Sequence, residues 1–194
     1  IDGELAMLVS NDLKGNGNTY LNQIEIPIVN KTYQLGKEHL MKKQMPKKHP
    51  FSVKFEVSFY ENDNGKPGER LDYESVLLLI DEKYNVVKVN LSRHNIKVPK
   101  EGLFVVLQNL GEINEKQELL EKSPVVYVDT PDGVKTVAQH IKPYFAVDYK
   151  LNEQRTFRRF QHYENKDWQA FNNFYSKNEA DYHNIGLGYE LVQK

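Results

Sequence analysis

The sequence predicts an all-β protein, an antiparallel β-sandwich, and three observations carry that expectation. Val53, Phe55, Val57 and Phe59 alternate strictly with Ser52, Lys54, Glu56 and Ser58, the period of two that a half-buried strand requires. Turn signals such as Asn62-Asp63-Asn64-Gly65 and Thr130-Pro131-Asp132-Gly133 punctuate the chain at short intervals. Helical periodicity is nearly absent: residues 112–122 have helix-compatible composition, but Leu119 and Leu120 belong to no sustained apolar face, so the stretch reads as a loop or a single helical turn.

The elements follow in order. Residues 5–9 form a short apolar run, and the polar 11–18 segment with Gly15 and Gly17 reads as a turn. Ile24, Ile26 and Ile28 alternate with Glu25 and Pro27, which suggests a strand that Pro27 confines to a sheet edge or a bulge. After the 53–59 strand, Asn64-Gly65 supplies the positive φ of a tight hairpin turn, and Pro67-Gly68 adds a second break. Residues 75–80 are a continuous apolar run, 81–85 turn the chain, and Val87, Val89 and Leu91 alternate again. Residues 99–102 mark another turn, and 103–107 read as a strand covered on both faces. Further on, 125–128 and 144–149 are strand-like, 163–182 is aromatic and polar without period, and 185–192 closes the chain as a strand weakened by Gly186 and Gly188.

Composition narrows the function classes. With 194 residues the chain suits one domain spanning 1–194, and a chain of that size buries roughly 70% of its unfolded surface, enough for a core without staples. Its 12 Tyr and 9 Phe argue against disorder, whose hallmark is aromatic poverty. A net charge of -1 lacks the basic excess through which nucleic-acid binders neutralise phosphate, so no nucleic-acid partner is expected. The one basic cluster is Lys37, Lys42, Lys43, Lys47 and Lys48. It reads as a solvated loop or a protected strand edge, with contact to an anionic polymer or lipid headgroup as the other reading. Without cysteine there is no thiol nucleophile, no Cys-ligated metal and no disulfide. No apolar stretch is long enough to span a bilayer, and Ile1 in place of an initiator Met marks a mature or trimmed chain from which a leader or upstream domain would be missing.

Catalytic motifs are not apparent. The six histidines, His39, His49, His94, His140, His162 and His183, make none of the spacings that grip a metal from one element, so no metal site and no cofactor are expected. Asp12-Leu13-Lys14-Gly15-Asn16-Gly17-Asn18 faintly suggests a calcium loop but lacks the closing acidic ligand and carries Lys14 in its midst. No G-x-S-x-G elbow or phosphate-binding glycine pattern occurs, and an acid pair picked from 27 acidic residues has no force as glycosidase evidence. The expectation is therefore a non-enzyme with no catalytic residues. The aromatic-polar stretch around Trp168, Tyr163 and Tyr175 is the candidate ligand site, because exposed rings beside amides stack on sugars while the amides bond hydroxyls. The competing reading is that these rings plug one end of the sandwich.

A resemblance adds to this reading. Between Phe55 and Leu110 the chain runs through a charged-alternating strand ending in Phe59-Tyr60, the Asn-Gly turn, Lys66-Pro67-Gly68, an apolar strand, and Val87-Lys88-Val89-Asn90-Leu91-Ser92. His94-Asn95-Ile96, Val98-Pro99, Glu101-Gly102 and Phe104-Val105 follow. This order resembles the Bacteroidetes cell-envelope family found downstream of carboxypeptidase-regulatory-like domains. Asn90 stands where that family usually has Asp, and His94 where it usually has Tyr. Arg158, Arg159, Trp168 and the closing strand are also similar to the family's ending. The resemblance implies a jelly-roll-like sandwich exported to the cell envelope, periplasmic or outer-membrane-associated. It carries no catalytic residues, and it implies a non-catalytic accessory or assembly role toward other envelope protein domains. The alternative from the residues themselves is a carbohydrate-binding module that holds polysaccharide near Trp168.

Overall fold

A computed structural model describes residues 3–29, 52–121, 125–130, 133–138, 143–148, 153–160, 167–171 and 183–194. The strands are β1 (Gly3–Val9), β2 (Thr19–Val29), β3 (Ser52–Asp63), β4 (Lys66–Arg70), β5 (Val76–Asp81), β6 (Val86–Asn90), β7 (Leu103–Glu112), β8 (Val125–Thr130), β9 (Gly133–Ala138), β10 (Tyr144–Phe145), β11 (Val147–Asp148), β12 (Thr156–Phe160), β13 (Gln169–Ala170), β14 (Asn184–Ile185) and β15 (Gly188–Gln193). One 3-10 turn, Ser92–His94, interrupts them. The fold is the expected all-β antiparallel sandwich.

The larger sheet runs β13-β12-β1-β7-β3, and β3 then pairs first with β5 and further along with β4. In the second sheet β2 is central, with β6 on one side and β15 and β10 on the other. The chain passes from one sheet to the other between β1 and β2, β2 and β3, β5 and β6, and β6 and β7, the jelly-roll-like habit. Alternation turns Met7, Val57, Phe59, Val105 and Leu107 of the large sheet toward Leu21, Ile24, Ile26 and Val89 of the other, and these form the main core.

Local chemistry accounts for the register. Asp63 pairs with Lys66 across the two-residue Asn64-Gly65 loop, whose φ values of 51° and 85° are those of the hairpin turn the sequence announced. The β2–β15 register slips at Asn22, because Leu21 faces Leu191 while Gln23 faces Glu190. That bulge moves the buried set of β2 from Thr19 and Leu21 to Ile24, Ile26 and Ile28.

Three expectations need correction. Pro27 lies in a strand paired on both sides, not at an edge. Its carbonyl accepts from the Ala146 amide at 3.1 Å where the neighbour of β2 changes from β15 to β10, so its missing N–H falls at a gap between strands. Pro67-Gly68 does not break the chain but lies within edge strand β4, beside the register slip at Glu61. The 53–59 strand is not open on one face along its whole length, since Ser58 and Tyr60 on the far side are as buried as its core residues. By contrast, the two-sided burial expected for 103–107 is what β7 has.

Candidate functional site

Two-sided burial of β7 has a cause: the large sheet curls, and its outer face closes on a second, smaller core. Ala6, Phe104, Val106, Phe157 and Tyr60 make that core, and Leu8 and Trp168 pack against it. Register places the charged members. Ala6 pairs with Phe157 and Glu4 with Arg159 across β1 and β12, so Glu4 and Arg159 lie side by side on the same outer face. Pairing of Phe157 with Ala170 and Arg158 with Gln169 brings Trp168, the next residue along, to Arg159.

Arg159 is the hub of the cluster. Its Nε donates to Glu4 Oε2 at 2.6 Å and its Nη2 to the Tyr60 hydroxyl at 3.2 Å. The guanidinium carbon lies 4.3 Å from the centre of the Trp168 ring and 5.7 Å from that of Tyr60. Tyr60 and Trp168 meet edge to face, with ring centres 5.9 Å apart and planes at 84°. Burial alone would pull the Arg159 guanidinium down, but the hydrogen bond and charge of Glu4, with help from Tyr60, outweigh it and hold the group above its ordinary value. Arg159 is thus a fixed cation, and the Glu4 carboxylate, only 5% exposed, is committed to it.

The Trp168 ring is therefore half-buried, with a guanidinium over one face and the second core against it. A sugar-stacking ring needs a free face, and Arg159 occupies the one it covers. The indole Nε1 is buried without an acceptor, a polar atom whose desolvation the packing of the ring offsets. Tyr163 and Tyr175, the other two expected ligand residues, lie outside the described residues, as do the basic 37–48 cluster, His39, His49, His140 and His162. Glu4 and Tyr60 are the partners sequence reasoning missed. Their contacts span 155 and 99 positions of chain, and only a folded, curled sheet brings them to Arg159.

Elsewhere the polar groups act on structure. Asn184 is fully buried; its Oδ1 accepts from the Arg155 amide at 2.6 Å and its Nδ2 donates to the Glu153 carbonyl at 2.8 Å. The Thr156 hydroxyl accepts from the Ile185 amide at 2.9 Å, so the closing segment is pinned to β12 by side chains. Beside this junction a cleft of about 70 Å³ lies between Thr156, Ile185, Leu187 and Tyr189, well below the roughly 300 Å³ at which small-molecule sites begin. The 12–18 segment is tied to the chain end by paired Asn18 and Lys194 backbone bonds of 3.2 and 3.0 Å. Among the described residues no three His, Asp or Glu side chains are grouped to hold a metal, and no helix is long and apolar enough to cross a membrane.

The opposite end of the same outer face is different. β5 reads as an apolar run in sequence, yet Leu77 and Leu79 point outward and are 59% and 38% exposed. Leu119 and Leu120, from the loop after β7, are also exposed. The Leu120 amide is anchored on the Glu112 carbonyl, and Leu119 packs beside Gly111, the residue across β3 from Leu79.

The fold and these two ends of one sheet face define the class: a β-sandwich whose larger sheet is sealed by an arginine–aromatic clamp at one end and left apolar at the other. Comparison with known proteins finds no matching family model, no matching curated protein and no matching solved structure.

Proposed function

We propose that this protein is a non-catalytic accessory or assembly domain that engages other protein domains through the edge of its larger sheet. The observation that carries the reading is the exposure of Leu77 and Leu79 on β5, a strand whose only strand partner among the described residues is β3. An unpaired strand edge beside outward leucines is a template for another chain, and natural sheets leave one in place where it is used. The clamp supports the same reading against its rival. One face of the Trp168 ring is already covered by Arg159 at 4.3 Å, which leaves a polysaccharide platform at most the other. A cell-envelope setting, periplasmic or outer-membrane-associated, is part of the proposal and rests on the sequence resemblance alone, chiefly that of residues 55–110.

The test is Trp168 fluorescence, which has one source because the chain holds a single Trp. The full chain is titrated with a panel of bacterial and host polysaccharides and, separately, with acrylamide. The expected result is weak quenching and no saturable glycan shift. A saturable shift with one glycan, lost in Trp168→Phe, would replace the assembly reading with a carbohydrate-binding module.

A further inference from the structure

We infer that the edge of β5 that is unpaired among the described residues accepts an extended protein segment with an aliphatic centre and basic residues at both ends. The inference rests on the edge-docking reading above and adds the chemistry of the occupant.

Nothing within β5 guards its edge. Its pairing with β3 runs without a slip from Val57–Val76 to Ser52–Asp81, and it contains no proline, lysine or bulge, the usual devices against strand addition. Val76, Leu78 and Ile80 belong to the main core or pack against it, whereas Leu77 and Leu79 stand on the outer face opposite Glu56 and Lys54. A strand added here would gain backbone hydrogen bonds, and its outward side chains would cover the two leucines.

Charge decides which strand. Asp72 and Glu74 precede the leucines, and Asp81 and Glu82 follow them. Of the nearby bases, Arg70 is tied to Glu56 at 3.0 Å, the largely buried His94 ring lies 4.0 Å from Glu74, Lys54 lies one strand inward, and Lys83 stands beyond the acidic pair, its amide donating to Asp81 at 2.8 Å. A second copy of β5 fits poorly. Antiparallel pairing about a two-fold axis at Leu78 sets Glu74 against Glu82. Centring the axis at Leu77 sets Asp72 against Glu82, and at Leu79 it sets Asp81 against Leu77. Glu82 already has a partner within the chain, so an incoming segment with basic ends meets Asp72 or Glu74 at one end and Asp81 at the other, in either direction. Glu74 and Asp81 are seven positions apart, at most about 23 Å if the two residues before β5 are as extended as the strand, so the basic residues should flank a core of about six residues.

The experiment uses the full chain and three dye-labelled peptides with one core of alternating valine and threonine, capped at both ends by paired lysines, glutamates or serines. Fluorescence anisotropy should show the lysine peptide binding at least about tenfold tighter than the glutamate peptide at about 0.05 M salt. That preference should collapse near 1 M salt, where screening acts within about 3 Å. The double variant Leu77→Thr/Leu79→Thr, altering only exposed strand positions, should weaken the lysine peptide about tenfold, equivalent to about 1.4 kcal/mol, with an unchanged melting temperature. Leu13→Thr, an exposed leucine on another loop, should leave binding unaltered. Equal binding of all three peptides, lost in the double variant, overturns the basic-flank inference and leaves edge docking standing. Binding that survives the double variant, or no binding by any peptide, overturns the inference at β5. The polysaccharide titration then judges the assembly reading separately.

Discussion

Replacing Arg159 by methionine tests the clamp most directly. Methionine keeps an unbranched apolar stem but removes the cation that joins Glu4, Tyr60 and Trp168. The 2.6 Å bond to Glu4 involves two charged groups, and such bonds contribute about 1.5–3 kcal/mol each. The Tyr60 bond and the stacking on Trp168 each add about 1 kcal/mol at most in a partly solvated site. Against this, methionine recovers packing along the stem. The Arg159 side chain is one-quarter exposed, so the Glu4 carboxylate left behind regains some water, which places the loss at the lower end of the range for broken buried pairs. The expected cost is about 3 kcal/mol, a fall in melting temperature of roughly 6–12 °C for a chain of this length.

A double-mutant cycle separates the ion pair from simple loss of packing. Glu4→Gln alone should cost about 1.5 kcal/mol, since an amide still accepts from Arg159 but without charge. Combining Glu4→Gln with Arg159→Met should cost far less than the sum, giving a coupling energy of about 2 kcal/mol. Urea unfolding followed by both circular dichroism and Trp168 emission provides the measurement. Arg159→Met should also raise acrylamide quenching of Trp168, because the guanidinium no longer screens the ring. A cost below about 0.5 kcal/mol, or strict additivity in the double variant, would mean that the pair behaves as a solvated surface pair, and the clamp reasoning would fail.

Two further predictions concern turns and acid stability. Gly65 and Gly102 share a φ of +85°, but a side chain at Gly65 would meet open space, whereas at Gly102 it would lie 2.5 Å from the Val9 carbonyl oxygen. Urea unfolding should therefore show about 1 kcal/mol lost in Gly65→Ala, the conformational cost alone, and roughly 3 kcal/mol or more in Gly102→Ala, where backbone must also move. Glu56 is held below its ordinary value of 4.5 by hydrogen bonding from the Ser75 hydroxyl, which with Arg70 outweighs partial burial. A carboxylate lowered in the folded state stabilises above its unfolded value and loses that contribution as pH falls through the lowered one. Glu56→Gln should thus cost about 0.5 kcal/mol at pH 7 and nothing once pH is well below 4.5, read from unfolding curves across that range.

The elements that could be read from the sequence are those whose signal is local. Alternation from Val53 to Phe59 needs only one strand and one core, and Asn64-Gly65 needs only its own backbone, so the turn survives in the structure and the alternation survives up to Val57, beyond which Ser58 is buried as well. What could not be read depends on how the large sheet curls. Thr156 and Phe157 are adjacent and both buried because β12 has a core on each side, which erases the period that would have announced the strand. The same curl explains why Trp168 could be named as a candidate but not placed: Arg159 on β12 is near it in sequence, but its aromatic neighbour Tyr60 comes from β3, far away in the chain. Pro27 fails as an edge marker for a related reason, since a missing N–H matters only where a neighbouring strand is present, and at that point one neighbour ends and another begins. β5 misleads in the other direction. Its run Val76-Leu77-Leu78-Leu79-Ile80 has the composition of a strand covered twice, yet one face is open. Apolar composition without burial is the mark of a surface shaped for something other than the chain's own core, and the acids at both ends of that run set the chemistry of what should meet it.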